Sequence, residues 1–594
     1  MAQGYVVLVL HAHLPYVLSH GKWPHGVDWL CEAACETYIP LLNALERLSG
    51  EGRQANFTIG ITPVLCEMLA SPLFKDELKG YIGEKIEATK VDAAIFEREG
   101  LHKLSRLADR WLDFYEGRLR DFIDTYDEDL SGAFGRFQEA GQIELIASAA
   151  THAYLPLLDR DTSISAQIAQ GVSVYRKHFR RDPRGLWLPE CAYRPGERPS
   201  HITGPGALKP RKGLEAFLCA HNLGYFFVDS HHVLKKGQSR GAGYGQDVAG
   251  ELSMEKRIAL TPGYGERFLP PEVHAIGGGA DKTVKEEMGA RERRALFAVH
   301  KTGSAKAGEC AVFARDTETS LQVWSAQWGY PGDPAYLEFH KKHSPGGLRY
   351  WRVTDHKGDL GTKLIYDPDQ AAERTRVHAD HFRSLVTAKL SRHYEETGSP
   401  GVLTIPFDAE LFGHWWFEGI EWLYALSCAF GRNYATIEKA STVLQHVAPS
   451  DTIELSEGSW GEGGHHFIWY NDDTTWTWER IRRAEQMMAD AVDEAVDDAM
   501  GSRILKQMAR ELLLLQSSDW QFLITTGTAG DYGKSRFLGH YEAFEDLRRM
   551  SRAYGSTKTL EKGDVDRLRA LEEADAVFDD VNVEWFRERK VDGL

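Results

Sequence analysis

Three short apolar runs end in side chains able to move protons or attack carbon. Leu8-Val9-Leu10 leads into His11-Ala12-His13, Gly185-Leu186-Trp187-Leu188 into Pro189-Glu190, and Leu403-Thr404-Ile405-Pro406-Phe407 into Asp408-Ala409-Glu410. Two carboxylates on separate strand ends, Glu190 and Asp408, are what glycoside chemistry needs. One attacks or stabilises the anomeric carbon, and the other protonates the leaving oxygen. Position alone favours a capping or ion-paired role for each; the neighbourhood shifts the balance. The chain has 16 Trp, among them Trp187, Trp324, Trp415, Trp416, Trp460 and Trp469 in the same stretches. Sugars stack their C–H faces on such rings, although any single Trp reads first as core filling.

His11 and His13 lie two apart on an extended segment and point to one side. That pair suits a divalent metal completed by a carboxylate, a hydrogen bond to a substrate hydroxyl, or the orientation of Glu190. His231-His232, His465-His466 and Cys31 with Cys35 lack partners at zinc-like spacing, so neither a metal nor another cofactor is expected. Gly527 to Ser535 resembles a phosphate loop but has one residue too many between Gly527 and Gly533, and it lies in a helical region.

These side chains need elements to hold them. Apolar runs at Tyr5 to Leu10, Ala55 to Ile61, Ile143 to Ala147, Gly185 to Leu188, Tyr225 to Val228 and Val402 to Phe407 read as buried strands. Helical periodicity falls between them at Trp29 to Leu48, Leu101 to Tyr126 and Ser163 to Phe179. This alternation predicts an α/β fold with a parallel sheet, closed as a barrel, whose active-site residues sit past the C-terminal strand ends. The alternation breaks after Pro195 and again from His231 to about Cys310, which read as insertions. From about Asp451 the pattern becomes helical, as in Trp478 to Met500, Arg503 to Leu515 and Lys558 to Phe578.

Composition narrows the partners. The 594 residues carry 70 Lys plus Arg against 87 Asp plus Glu, a net charge of −17, which disfavours nucleic acid and an anionic membrane surface. Seven scattered cysteines suit a reducing compartment. The apolar stretch Tyr5 to Leu10 is too short for a signal peptide core or a span, so a cytoplasmic protein is expected, a monomer or weak homo-oligomer.

His11-Ala12-His13-Leu14-Pro15-Tyr16, Trp187-Leu188-Pro189-Glu190-Cys191-Ala192-Tyr193, Pro406 to Trp415 and Ser518-Asp519-Trp520 together resemble the ordered regions of glycoside hydrolase family 57. Gly21-Lys22-Trp23-Pro24, Ala150-Thr151-His152-Ala153, Gln322-Val323-Trp324-Ser325 and Gly458 to Gly464 are similar to its 1,4-α-glucan branching enzymes. The resemblance implies an incomplete (β/α)7 barrel over residues 1–450, an inserted small domain with a cleft-covering loop at 193–250, and a helical C-terminal domain at 451–594. It implies Glu190 as nucleophile and Asp408 as general acid/base, with His11, His13, His152 and Asp519 around the reacting glucose. Trp29, Trp324, Trp460 and Trp469 match positions that line the glucan cleft, and Tyr244 is the candidate for a tyrosine at the loop tip, with Tyr264 also available. The long stretch from about Pro262 to Cys310 has no counterpart in the compact family members.

The expected reaction is cleavage of an α-1,4-glucan by retaining double displacement and transfer of the chain to a 6-hydroxyl. The alternatives are an α-amylase or 4-α-glucanotransferase on the same machinery, a metal-dependent polysaccharide deacetylase with His11 and His13 as ligands, and a non-catalytic glucan-binding protein.

Overall fold

A computed structural model describes residues 3–22, 25–196, 211–234, 290–304, 308–324, 329–355, 358–431 and 434–588. Its centre is a sheet of nine strands: β1 (Gly4–Ala12), β2 (Phe57–Ile61), β3 (Ile143–Ser148), β4 (Gly185–Trp187), β5 (Tyr225–Val228), β6 (His300–Ser304), β7 (Gly308–Ala314), β8 (Gly401–Asp408) and β9 (Ala435–Ile437). The order is β6-β7-β5-β4-β3-β2-β1-β8, with β9 pairing the start of β1. Every neighbouring pair is parallel except β6 with β7. An isolated parallel bridge, Arg315 to Thr404, links the end of β7 to β8, and the Asp316 N–H donates to the Thr404 carbonyl at 2.9 Å.

Strands buried on both faces read as unbroken apolar runs, and β2, β3, β4 and β5 are buried throughout. Along β1, Val6, Leu8 and Leu10 enter the large core shared with the helices. Val7 and Val9 enter a smaller cluster with Ile146, Trp187, Phe227, Phe313 and Val402. Because side chains alternate, His11 falls on the Val7 and Val9 face and Asp408 on that of Val402. Register places His11 level with Asp408 on one side and Gly60 on the other. A Cβ on Gly60 would lie 3.2 Å from His11 Nδ1, so glycine leaves the imidazole its place.

All six expected strands are present. β6 arises inside the stretch read as an insertion and β7 begins where that stretch ends, so residues 300–304 and 308–314 belong to the sheet. The signal was hidden because a long Gly- and charge-rich segment precedes them. The expected helix over Trp29 to Leu48 is divided into Val27–Ala33, a π-helical turn Ala34–Tyr38 and Ile39–Gly50. Such turns re-aim side chains; here Tyr38 reaches Glu410 and Glu36 reaches Arg349 and His414.

The C-terminal part consists of helices Thr475–Asp493, Ala499–Leu515, Asp519–Thr526, Gly530–Thr557 and Lys562–Ala574. Asp498 interrupts the periodicity from Trp478 to Met500 by capping the next helix, accepting from Gly501 N–H at 2.8 Å. Gly527 closes the short helix with φ +72°, so the phosphate-loop look-alike is a helix C-cap followed by a new helix. Among the described residues, no helix is long and apolar enough to cross a membrane.

Candidate active site

Glu190 sits on a tight turn directly after β4. Its φ of +59° and that of Cys191, +47°, are left-handed, a conformation that costs a non-glycine residue about 1–2 kcal/mol. Cys191 N–H to Leu188 O at 2.9 Å and Ala192 N–H to Pro189 O at 3.0 Å hold the turn. Both carboxylate oxygens are occupied. Trp460 Nε1 donates to Oε2 at 2.8 Å and Ser518 Oγ donates to Oε1 at 3.0 Å. Burial pushes the carboxyl up to about 7, with Asp519 and Asp408 adding to the rise and the Trp460 and Ser518 bonds opposing it.

Asp408 ends β8. Its carboxyl makes no hydrogen bond among the described residues, and it too is pushed up to about 7, by burial first and then by Glu410. His13 and Arg315 oppose that rise. Glu410, two residues on, accepts from Tyr38 Oη at 2.6 Å and from His13 N–H at 3.0 Å. Burial pushes the Glu410 carboxyl itself up to about 7, with its Tyr38 and His13 bonds opposing, and a Glu410→Gln substitution keeps an acceptor for both donors while removing the negative charge that the ionised Glu410 presents to Asp408. The proton on Asp408 then leaves more easily. The basic limb of the kcat/KM profile is expected to move to lower pH, by up to about one unit, as measured on a soluble maltooligosaccharide.

The three histidines converge. His11 and His152 share a hydrogen bond between their Nε2 atoms at 3.0 Å, and the His13 ring stacks on His152 with centroids 4.1 Å apart. Burial holds His11 well below the usual imidazole range, helped by His13, and does the same to His152, helped by His13 and His11. Both are neutral at pH 7. His13 bonds Thr62 Oγ1 through Nδ1 at 3.0 Å and Asp519 Oδ2 through Nε2 at 2.9 Å. Burial works against the charge on Asp519, yet His13 beside it brings the carboxyl below its ordinary value.

His13, His152 and Asp519 place potential ligand atoms within 4.8 Å of one another, as do His20, His540 and Asp575. In the first group both ring nitrogens of His152 are taken, by His11 and by Ser518 Oγ. In the second, His540 bonds Arg536 and Glu511. An ion at either place would have to break these bonds, so the donor sets fit hydrogen-bond networks better than a cation.

The aromatic residues divide. Trp460 touches Glu190 and its ring lies 5.2 Å from that of Trp187. Trp324, at the end of helix Thr317–Trp324, is part-exposed with its ring 6.5 Å from Trp415, and Trp29 is part-exposed on Val27–Ala33. Trp469 is a correction. It is 1% exposed and stacks on Tyr154 with centroids 4.6 Å apart, so it backs the site and offers no open face to a sugar. Tyr244 and Tyr264 lie outside the described residues.

Sequence reasoning missed Ser518, Glu410, Tyr38 and Arg315 as members of the site. Ser518 and Glu410 adjoin quoted motif residues, which is the available signal. Arg315 follows a strand that was not expected; it pairs with Asp229 at 3.2 Å and lies 5.9 Å from the Trp460 ring.

Residues 7–265 match the family model for glycosyl hydrolase family 57, and residues 480–586 match that for the 1,4-alpha-glucan branching enzyme C-terminal region. A 1,4-alpha-glucan branching enzyme of Thermococcus kodakarensis is 40% identical over 97% of this chain and 77% of its own. Its crystal structure in complex with glucose superposes with a TM-score of 0.84 at 38% identity, covering 99% of this chain and 97% of that one. A branching enzyme from Pyrococcus horikoshii gives 0.81 at 38% identity with the same coverage. The alpha-amylase AmyC of Thermotoga maritima gives 0.75 at 28% identity, covering 99% and 100%. A family model seated on the strands that carry His11, His13 and Glu190, and a relative this similar along almost the whole length, lead to one conclusion: the chain belongs to glycosyl hydrolase family 57.

Proposed function

We propose that the protein is a 1,4-α-glucan branching enzyme that cleaves an α-1,4-glucan and transfers the chain to a 6-hydroxyl with retention of configuration. The observation that carries the assignment of roles is an asymmetry between two part-buried carboxyls. Glu190 receives two hydrogen bonds, which favour its charged form, whereas Asp408 receives none among the described residues and faces Glu410, which favours its protonated form. Glu190 is therefore suited to attack and Asp408 to donate a proton.

In the first step Asp408 protonates the glycosidic oxygen as Glu190 attacks the anomeric carbon. The C1–O bond breaks, the shortened glucan leaves with its new hydroxyl, and a covalent ester forms on Glu190. In the second, Asp408 as carboxylate takes the proton from a glucan 6-hydroxyl, whose oxygen displaces Glu190 and makes the α-1,6 bond. His13 and Asp519, with the part-exposed Trp29 and Trp324, are proposed to bind the glucan. Similarity to branching enzymes across both halves of the chain supports this reading.

The parallel run β7-β5-β4-β3-β2-β1-β8 joined end to end by a single bridge supports an incomplete (β/α)7 barrel over residues 1–450, with an inserted domain at 193–250 and a helical domain at 451–594. A cytoplasmic monomer or weak homo-oligomer acting on amylose, glycogen or starch chains completes the proposal. The likeness to an α-amylase favours hydrolysis as the second reading, since water and the 6-hydroxyl compete for one intermediate. Proton NMR of amylose after incubation with the protein separates them. New α-1,6 anomeric signal with few new reducing ends is expected; reducing ends alone would establish a hydrolase.

A further inference from the structure

Glu190 is joined to three buried groups in line. Ser518 Oγ lies 3.0 Å from Glu190 Oε1, His152 Nδ1 lies 3.0 Å from Ser518 Oγ, and His11 Nε2 lies 3.0 Å from His152 Nε2. Ser518 is fully buried, and His11 and His152 are 2% and 3% exposed. A serine hydroxyl has one hydrogen, and with Glu190 ionised that hydrogen goes to the carboxylate. Ser518 Oγ must then accept from His152 Nδ1–H. A neutral His152 has its lone pair on Nε2, so His11 must donate from its own Nε2–H, which leaves a bare lone pair on His11 Nδ1. That atom is buried and has no hydrogen-bond partner among the described residues. The orphan is thus the end of the chain, and while Glu190 is ionised only one arrangement of protons satisfies every other member.

The rings cannot turn freely. His11 stacks on Trp187 with centroids 4.7 Å apart and His152 lies against His13 at 4.1 Å. Ser518 N–H donates to the His152 carbonyl at 3.2 Å, and Ala153 bridges Ser517, which fixes the backbones that carry both side chains.

We infer that Ser518 is a positioning residue for Glu190, its hydroxyl aimed by a one-directional relay from His11 through His152, and that these two histidines serve the reaction through Ser518 instead of through the sugar. The inference rests on Glu190 being the nucleophile. The relay holds the carboxylate from one side while Trp460 holds it from the other, so its attacking geometry is set before substrate arrives. The same bond steadies the carboxylate as it leaves the sugar in the second step.

The premise is tested first, by trapping with a 5-fluoroglucosyl fluoride and sequencing the labelled peptide. A label on any residue other than Glu190 overturns the proposed mechanism and the relay together. With the label on Glu190, Ser518→Ala is expected to lower kcat about 10²-fold with KM little changed. It is also expected to move the acidic limb of kcat/KM upward by about one pH unit, because the carboxylate has lost a donor. The charged and titratable groups facing Glu190, namely His152, Asp408, Asp519, Tyr154, Cys191 and, across the Trp460 ring, Arg315, are all retained in that variant. Ser518→Thr is expected to restore the limb and most of kcat. An unmoved limb in Ser518→Ala, or a folded Ser518→Thr that restores nothing, overturns the relay. In a double-mutant cycle with His152→Ala, the double variant is expected to be no worse than the weaker single one; additive losses would mean that His152 acts on the substrate by itself. If Ser518→Ala does not fold, ¹⁵N-histidine NMR of the unaltered protein above the pH at which Glu190 ionises decides, with Nδ1–H on His152 and Nε2–H on His11 expected and the opposite tautomer on His152 overturning the proposal.

Discussion

Replacement of Glu190 by glutamine is expected to lower transfer from amylose by at least about 10⁴-fold, the scale on which loss of a covalent nucleophile acts. The amide is nearly the same shape, so packing survives. Its chemistry does not: one end of the amide is itself a donor and meets either Trp460 Nε1 or Ser518 Oγ, both of which donate to the native carboxylate. Glutamine is also too weak a nucleophile to form the ester. A Glu190→Ala variant opens the face from which Glu190 attacks. With added azide it is expected to regain turnover on an activated α-glucosyl donor and to release the β-glucosyl azide, a single inversion in place of two. More than about 1% residual branching in a purified Glu190→Gln protein, or an azide product of α configuration, would remove Glu190 from the nucleophile's role.

Asp408→Asn separates proton transfer from attack. On amylose the loss is expected to reach about 10⁴-fold, because the leaving glucan oxygen needs the proton and the incoming 6-hydroxyl needs the base. On an α-glucosyl fluoride the first step needs no acid, so formation of the covalent intermediate is expected to fall by less than about tenfold and the intermediate to accumulate. Rapid-quench mass spectrometry reads both. Equal losses on the two donors would show that Asp408 only shapes the site. The unaltered enzyme should give a bell-shaped profile. Its acidic limb reports Glu190, which must lose a proton, and its basic limb reports Asp408, which must keep one. Since the two carboxyls repel, the limbs are properties of the pair. The basic limb is expected to vanish in Asp408→Asn.

Much of the fold was legible because of how parallel strands are buried. Val6 to Leu10 is apolar on both faces, and Ile143 to Ala147 and Val402 to Phe407 stand out as runs broken by a polar side chain only at Glu144 and Thr404. β7 escaped notice because Gly308-Glu309 opens it and the insertion-like segment runs up to it, and β9 because three residues carry too little pattern. The two carboxylates and the histidines were readable from motifs at strand ends. The meaning of Ser518 was not, since a serine reads as a helix start until folding brings it 3.0 Å from a carboxylate 328 positions earlier. Trp460 and Trp469 read alike as cleft aromatics. Only packing shows that one indole N–H serves Glu190 while the other ring is covered by Tyr154. Glu410 was visible as a residue, but its influence on Asp408 depends on Tyr38, which a π-helical turn aims from far along the chain.

β1 lies between β2 and β8 and is also paired by β9. It is made before β8, so one edge of Val6 to Leu10 stays open until residues 401–408 have been made. A flat apolar strand with an unpaired edge is a template for the wrong partner. A nascent chain therefore carries that open edge throughout the synthesis of residues 13–400. Products that stop short of residue 401 never close that edge, and they are expected to collect in inclusion bodies.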